Sequence, residues 1–341
     1  MNNFKIILFP FALLYALITE VRNFLFDKEI ITAVSYDLPV INVGNLSVGG
    51  TGKTPLIAYL IRLLQDRYRI LVVSRGYKRR TKGVVVADKY STPETIGDEP
   101  YQLYRKFDID LVVGESRRDA IEKAFEKFSP DVILLDDAYQ HRKLKAGLNI
   151  VLTTYQNPFI NDYILPAGML RECRKNIKRA DMVVLTKLPD KPEKKRLQKI
   201  VSGIKKYFNG FVFTSKIVYE IQVSGKNKNI SLTDLQDYKV LLVTGIANPD
   251  PIYSFLSKKN INFDSLKFPD HHRFSKADIR RIRHSFESIQ AGKKIILTTE
   301  KDFVRMNSYF DDELYYLPIQ AEIIEKELFN KKILDYVSRK K

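Results

Sequence analysis

From residue 39 onward the chain alternates short β-branched runs with stretches of helical character. The runs are PVINVG (39–44), RILVVS (69–74), DLVVG (110–114), DVILLDD (131–137), NIVLTT (149–154) and DMVVLT (181–186). Apolar residues follow one another almost without interruption inside each run, the pattern of strands buried on both faces of a helix-covered parallel sheet. Helices are expected over 53–65, 98–106, 116–128 and 191–206. Together these elements predict a doubly wound α/β domain, whose ligands sit at the carboxyl ends of the strands. Around FVFTSKIVYEIQVSG (211–225) the rhythm changes to two adjacent strand-like runs, followed by polar KNKNISLTD (226–234), which reads as a domain boundary. A second, smaller α/β unit is expected beyond it. Its elements are KVLLVTGIA (239–247), a helix near 250–259, NFDSLKF (262–268), a helix near 275–288, KIILTT (294–299) and a final basic helix near 322–339.

The N-terminal segment follows another pattern. Residues 4–26 are strongly apolar, yet the uncharged run from Ile6 to Thr19 is shorter than the ~20 residues a spanning helix needs. Beyond it Glu20, Arg22 and Asp27 interleave with Val21, Phe24 and Phe26. This favours a helix lying in a membrane interface, with apolar residues inward and charges outward, over a spanning helix, a signal peptide or a core helix. A signal peptide is disfavoured by a single weak basic residue, Lys5, and by the lack of a clear A-x-A site.

Length and composition change this picture in three respects. At 341 residues the chain exceeds what one core usually serves, about 250–300 residues, in agreement with two domains. A single cysteine, Cys173, excludes an internal disulfide framework, fits a reducing compartment, and argues against a structural zinc site. The 57 Lys and Arg outnumber the 40 Asp and Glu by 17, which favours an anionic partner: nucleic acid, an acidic membrane surface or a phosphorylated substrate. No nucleic-acid-binding module is recognisable, so no nucleic acid is expected as partner.

Candidate chemistry begins in NVGNLSVGGTGKTP (42–55), between a predicted strand and a predicted helix. Gly49, Gly50 and Gly52 let backbone N–H groups wrap phosphate oxygens, with the positive end of the helix dipole behind them. Residues Ser47, Val48, Gly49, Gly50, Thr51, Gly52, Lys53 and Thr54 occupy the positions of a nucleotide-binding loop. Ser47 stands where that pattern has its first Gly. Lys53 would meet the β- and γ-phosphates, and Thr54 would hold Mg2+. A second part is DVILLDDAYQH (131–141), where Asp136 and Asp137 follow a buried strand as candidate metal ligands, helix N-capping by Asp137 being the simpler alternative. In GDEP (97–100), Asp98 and Glu99 precede a helical stretch and suit either a cap or a catalytic acid–base. The segment PDHHRF (269–274) holds two of the four histidines, His271 and His272, beside Asp270. Adjacent histidines point in different directions, so one of them is expected to face a site. Arg75, Arg117, Arg118 and Arg171 lie near predicted strand ends, where guanidinium groups suit phosphate charge, solvated surface charge being the alternative for each.

VGNLSVGGTGKTP, SRGYKRR, GDEP, DDAYQH, LPAGMLRE and PDHHRF, in this order, resemble the tetraacyldisaccharide 4′-kinase family, the lipid A 4′-kinases. The likeness runs from the N-terminal helix through PDHH. Ala138 stands where the family commonly has Gly. The resemblance implies a P-loop three-layer α/β/α domain and a second, smaller α/β/α domain joined by a two-stranded hinge, with an N-terminal membrane-interface helix. The expected division is 1–28 (helix), 29–215 (nucleotide-binding domain), 216–238 (hinge strands and linker) and 239–341 (smaller domain). It also implies transfer of the γ-phosphoryl group of ATP, with Mg2+, to the 4′-hydroxyl of a tetraacylated glucosamine disaccharide 1-phosphate at the cytoplasmic face of the inner membrane. The enzyme would be peripheral on an anionic membrane surface, with no obligate protein partner. Asp98 would take the hydroxyl proton, supported by His271, or less favourably His272. Because PDHH lies in the second domain, a complete site is expected to require hinge closure. Glu99, Arg75, Arg117, Arg118, Gln140, His141, Arg171 and His272 complete the candidates for binding substrate or phosphate. A membrane-associated positioning ATPase is the alternative, but its loop carries an extra Lys where Ser47 and Val48 stand here. TKLPD (186–190) sits where GTP-binding proteins read guanine, with a spacing off by one.

Overall fold

The computed structural model describes residues 3–270 and 272–339. The chain forms two compact units, the larger comprising residues up to Ile217 and those from Ala321 onward, the smaller Val218–Gln320.

In chain order the larger unit contributes α1 (Asn3–Asp27), β1 (Val40–Asn45), α2 (Lys53–Leu64), β2 (Ile70–Ser74), β3 (Val85–Val86), α3 (Pro93–Ile96), α4 (Asp98–Lys106), β4 (Asp110–Val113), α5 (Arg117–Phe125), β5 (Val132–Asp136), β6 (Leu148–Thr154), β7 (Met182–Thr186), α6 (Lys194–Lys205) and β8 (Phe211–Tyr219). Every residue of β1, β2, β5 and β7 is buried. Continuous burial follows from helices on both faces, because successive side chains of a strand point to opposite sides. Ile41 and Val43 of β1 join Leu56, Leu60, Ile61 and Leu64 of α2 in one core. Val40 packs on the other face with Ile121 and Ala124 of α5. Each fully buried Leu or Ile in these layers contributes roughly 1.5–3 kcal/mol.

The smaller unit holds β9 (Gln222–Ser224), β10 (Asn229–Ser231), β11 (Lys239–Thr244), α7 (Asp250–Lys258), β12 (Phe263–Lys267), α8 (Lys276–Glu287), β13 (Lys294–Thr299), α9 (Glu300–Met306) and β14 (Leu314–Leu317). Among the described residues its sheet has six strands in the order β10–β9–β14–β13–β11–β12. β12, β11, β13 and β14 run parallel, and β9 and β10 are antiparallel additions at one edge.

The chain then returns to the larger unit through β15 (Ile319–Ile323) and α10 (Lys326–Ser338). The final helix was expected with the smaller domain, and the structure corrects this. Phe329, Ile333 and Val337 recur one turn apart and are fully buried in the core shared by β1 and α2. The Tyr336 hydroxyl bonds the backbone of Val40, and the Tyr59 hydroxyl donates to Asn330 Oδ1 at 2.6 Å. The boundaries shift accordingly: the smaller unit starts at Val218 and ends at Gln320, and β8 and β15 are the strands that carry the chain between units. With β15 included, the described residues of the larger unit form a nine-stranded sheet ordered β15–β8–β7–β6–β1–β5–β2–β4–β3.

Helix α1 divides its residues between two surroundings. Ile7, Phe11, Leu13, Leu14, Leu17, Ile18, Val21 and Phe24 are all exposed. Its polar residues are tied to the body of the larger unit. Arg22 Nη2 donates to Glu172 Oε1 at 2.9 Å and Asn23 Nδ2 to Glu172 Oε2 at 3.2 Å. Glu20 accepts from Asn176 at 2.7 Å, and Asp27 pairs with Arg142 at 2.8 Å. The charges therefore face protein, where the sequence pattern had them pointing outward. Glu172 has a side chain with no solvent exposure and also binds Arg179. Glu172→Ala should destabilise the protein by ~2–3 kcal/mol, the loss of charged hydrogen bonds discounted for Arg22, which is 39% exposed. Chemical denaturation checks this, and an unchanged midpoint would show the helix to be held by other contacts.

Candidate active site

β1 lies between β5 and β6, in parallel register with both, and Val43 pairs with Asp136. The Asp137 N–H extends that ladder to the Val43 carbonyl at 2.9 Å. The loop leaving β1 and the two carboxylates leaving β5 thus emerge side by side at the carboxyl edge of the sheet. Gly49 and Gly52 have φ of 106° and 91°, the left-handed region where a side chain is strained, and Gly52 directly precedes α2. Lys53 opens the helix. Its Nζ lies 3.4 Å from Asn45 Oδ1 and 3.7 Å from Asp137 Oδ1. Thr54 follows in the first turn, half-buried.

The start of the loop is bound to the segment 163–171. Ser47 bridges Leu170, the Val48 N–H donates to Met169 O at 2.8 Å, and the Arg171 N–H donates to Leu46 O at 2.7 Å. The amide of Val48, expected to face nucleotide, is therefore already engaged, and the free turn of the loop begins at Gly49. The same pairing delivers Arg171 to the site. Its Nη1 donates to Asp137 Oδ2 at 3.0 Å and Gln140 Oε1 at 3.3 Å, while Gln140 Nε2 donates to Asn45 O at 2.8 Å.

Asp136 is buried and accepts from the Ser74 hydroxyl at 2.9 Å. Burial, with the charge of Glu99 next in weight, pushes its carboxyl up to about 6, against the opposing pull of Lys53. Oδ1 of Asp136, Oδ1 of Asp137 and the Thr51 hydroxyl are buried and receive no hydrogen bond from any described residue. Asp137 has φ of 54°, an uncommon conformation for a non-glycine residue that persists only where its surroundings hold it. Two buried acceptors lacking donors, beside a carboxyl raised by burial and by the charge of Glu99, fit a cation. Among the described residues no group of three or more His, Cys, Asp or Glu side chains could hold a metal by itself. Mg2+ is bound by one or two carboxylates together with substrate phosphates and water, and the donor-poor oxygens of Asp136 and Asp137 fit that chemistry.

Asp98 and Glu99 begin α4. A Cβ on Gly97 would lie 3.1–3.2 Å from the backbone of Gly76, so only glycines allow the two loops to touch. This contact brings GDEP against the end of β2 that carries Ser74. The exposed Arg75 belongs to the same end.

The remaining arginines separate. Arg117 is buried and spends its guanidinium on carbonyls: Gly114 at 3.1 Å, and Asp136 and Asp137 at 3.4 Å each. Burial lowers its basicity, and the two aspartates counteract the loss. His141 accepts the Arg117 N–H through Nε2 at 3.3 Å, consistent with a neutral ring whose pKa burial and Arg117 depress. Both residues brace the aspartate turn. Arg118 is exposed on α5 and paired with Glu122 one turn on.

In the smaller unit, His272 Nε2 lies 3.0 Å from Asp278 Oδ2, and its ring stacks on Phe268 with centroids 4.8 Å apart. Asp278 caps α8 with Ser275, whose hydrogen bonds, reinforced by His272, draw its carboxyl down to about 2. Arg305 donates to the His272 carbonyl at 3.3 Å. The ring of His272 is thus committed to a structural carboxylate. His271 lies outside the described residues.

Sequence reasoning missed Asn45 and Ser74, which hold Lys53 and Asp136. An Asn closing an apolar run was the available signal for the first, and the structure buries it fully. Ser74 had none beyond its place at a strand end.

Residues 4–338 match the family model described as tetraacyldisaccharide-1-P 4′-kinase. The tetraacyldisaccharide 4′-kinase of Flavobacterium johnsoniae is 48% identical over 341 residues, covering 99% of this chain and 98% of that one. The protein of the same name from Bacteroides thetaiotaomicron is 42% identical, covering 97% and 92%. A solved structure, the "apo" form of LpxK from Aquifex aeolicus in complex with ATP, superposes with a TM-score of 0.80 at 31% identity, covering 98% of this chain and 99% of that one. The likeness spans both units, and the chain belongs to the tetraacyldisaccharide-1-phosphate 4′-kinase family.

Proposed function

We propose that the protein transfers the γ-phosphoryl group of ATP to the 4′-hydroxyl of a tetraacylated glucosamine disaccharide 1-phosphate. The observation that carries this reading is the convergence of Lys53, the glycine loop and the donor-poor oxygens of Asp136 and Asp137 at one sheet edge, in a chain of this family. The loop amides from Gly49 onward and Lys53 bind the phosphates. Thr54, Asp136 and Asp137 are the residues that would hold Mg2+, which when bound neutralises charge on the transferring phosphoryl group. Asp98 accepts the proton of the 4′-hydroxyl as its oxygen bonds to the γ-phosphorus and the bond to the β-phosphate oxygen breaks, releasing ADP. Arg171, pointing its guanidinium at Asp137, is the arginine best suited to phosphate charge, and Arg75 is a second candidate. Incubation with γ-labelled ATP and the acylated disaccharide 1-phosphate, followed by chromatography of the lipid, tests the reading. A labelled lipid monoester at the 4′-position is expected, and ATP consumption with no labelled lipid would defeat it.

The substrate is amphiphilic, and the exposed apolar side of α1 suits the surface from which it comes. By length and composition Ile7–Asp27 could cross a membrane. The ties of Glu20, Arg22, Asn23 and Asp27 to the body favour a helix lying in the interface, on the cytoplasmic face, with the net positive charge drawing the protein to anionic lipid. Replacing Leu13 and Leu17 by Glu should reduce co-sedimentation with anionic vesicles about tenfold or more while ATP affinity is unchanged. Undiminished sedimentation of the double variant would remove α1 as the anchor.

A further inference from the structure

The mechanism leaves one pair of contacts without a purpose. At the end of β7, two consecutive residues reach the nucleotide loop from the same strand. The Thr186 hydroxyl donates to the Thr51 carbonyl at 2.7 Å, and Lys187 Nζ donates to the Gly50 carbonyl at 2.7 Å. Thr186 is buried, and its hydroxyl also lies 3.2 Å from the Thr153 carbonyl, which keeps it fixed between β6 and the loop. Lys187 has φ of 57°, a left-handed turn immediately after a regular strand, and a side chain rarely stays there unless its surroundings hold it. The backbone on either side is secured: Tyr155 N–H donates to Thr186 O at 2.9 Å, and Leu188 N–H donates to Ser215 O at 3.0 Å.

Peptide geometry gives these contacts a directional consequence. In a planar trans peptide the carbonyl of one residue and the N–H of the next point in opposite directions. Fixing the Gly50 carbonyl toward Lys187 therefore turns the Thr51 N–H away from β7, and fixing the Thr51 carbonyl toward Thr186 does the same for Gly52. With glycines at 49, 50 and 52 the loop is otherwise free to rotate these planes. We propose that Thr186 and Lys187 are positioning residues that pin two successive carbonyls outward and so preset the Thr51 and Gly52 amides as donors to a nucleotide's phosphates. Lys187 further places a positive charge at the rim of the cradle, and burial lowers its affinity for the proton. The inference rests on the nucleotide-site reading and deepens it. The TKLPD run thereby acquires a role directed at the loop, where the sequence offered only a weak likeness to guanine readers.

The test is calorimetric titration of the full-length protein with Mg·ADP, alongside thermal unfolding without nucleotide. Lys187→Met should weaken ADP binding about tenfold, the loss of one charge-assisted hydrogen bond, with the nucleotide-free melting temperature and KM for the lipid acceptor unchanged. Lys187→Arg, which keeps a donor and a charge, should recover affinity to within about threefold. Thr186→Val should also weaken ADP, and the double variant should lose less than the product of the two single losses, because both contacts order one loop. ADP affinity of Lys187→Met within about twofold of wild type overturns the proposal, as does a loss of affinity that only tracks a loss of melting temperature. If the wild-type protein itself takes up no Mg·ADP, the nucleotide-site reading falls first and this inference with it.

Discussion

Lys53→Ala should lower the rate of phosphoryl transfer by roughly 10³-fold, the scale seen when one preorganised charge-stabilising donor is removed from an active site. Two effects combine. The substitution takes away the ammonium that would meet the β- and γ-phosphates, at the N-terminus of α2 where the helix dipole already favours anions. It also removes the cation 3.7 Å from Asp137 and the main influence lowering the Asp136 carboxyl. Asp136 then titrates still higher, which changes the charge balance at the aspartate pair. Lys53→Arg should not restore activity, since a planar fork cannot take the place of a compact ammonium among Asn45, Asp137 and the loop. Single-turnover measurement with saturating ATP reads the effect on transfer itself. A rate within tenfold of wild type would show that the lysine does not face the transferred group.

Asp98→Asn should lower kcat by roughly 10²–10⁴-fold, the usual contribution of a positioned general base, while KM for ATP stays nearly constant. The choice of Asn separates two roles. Gly97 is the residue preceding α4, and Asp98 is the first residue inside the helix. Asn keeps the shape and an acceptor oxygen at that position but cannot take a proton. Unchanged thermal stability with a collapsed kcat identifies the base, and near-normal kcat returns Asp98 to a helix-start residue. Glu99 makes the informative neighbour, because its charge is felt at Asp136. Glu99→Gln should alter the Mg2+ concentration needed for half-maximal rate more than it alters kcat at saturation.

The sequence made the strands of the larger sheet legible because burial on both faces leaves unbroken apolar runs. PVINVG at 39–44 becomes β1 at Val40–Asn45, and NIVLTT at 149–154 becomes the end of β6. The loop was legible for another reason: its glycines are required by backbone angles, and composition records that directly. Other features depended on tertiary partners. Phe329, Ile333 and Val337 announce a helix with one buried face, but nothing local says which sheet that face will cover. Arg117 and Arg118 are chemically alike and adjacent, and only the packing of α5 turns one into the aspartate turn and the other to solvent. The strands β14 and β15, on either side of Pro318, escaped notice because their pairing comes from distant segments. The TKLPD run that contains Lys187 could be noticed, but the partner of that lysine, a carbonyl 137 positions earlier, could not.

The return of the chain through β15 and α10 has a consequence for biosynthesis. The sheet that starts at Val40 receives its edge strand and part of its covering layer only from residues beyond Ile319. A growing polypeptide therefore cannot complete the ATP-handling half until the ribosome has translated past the whole inserted unit. The described strands of the smaller unit's own sheet are all translated by Leu317, before β15 and α10 are complete. A nonsense codon anywhere in the last helix would consequently strike the half of the molecule encoded at the opposite end of the message.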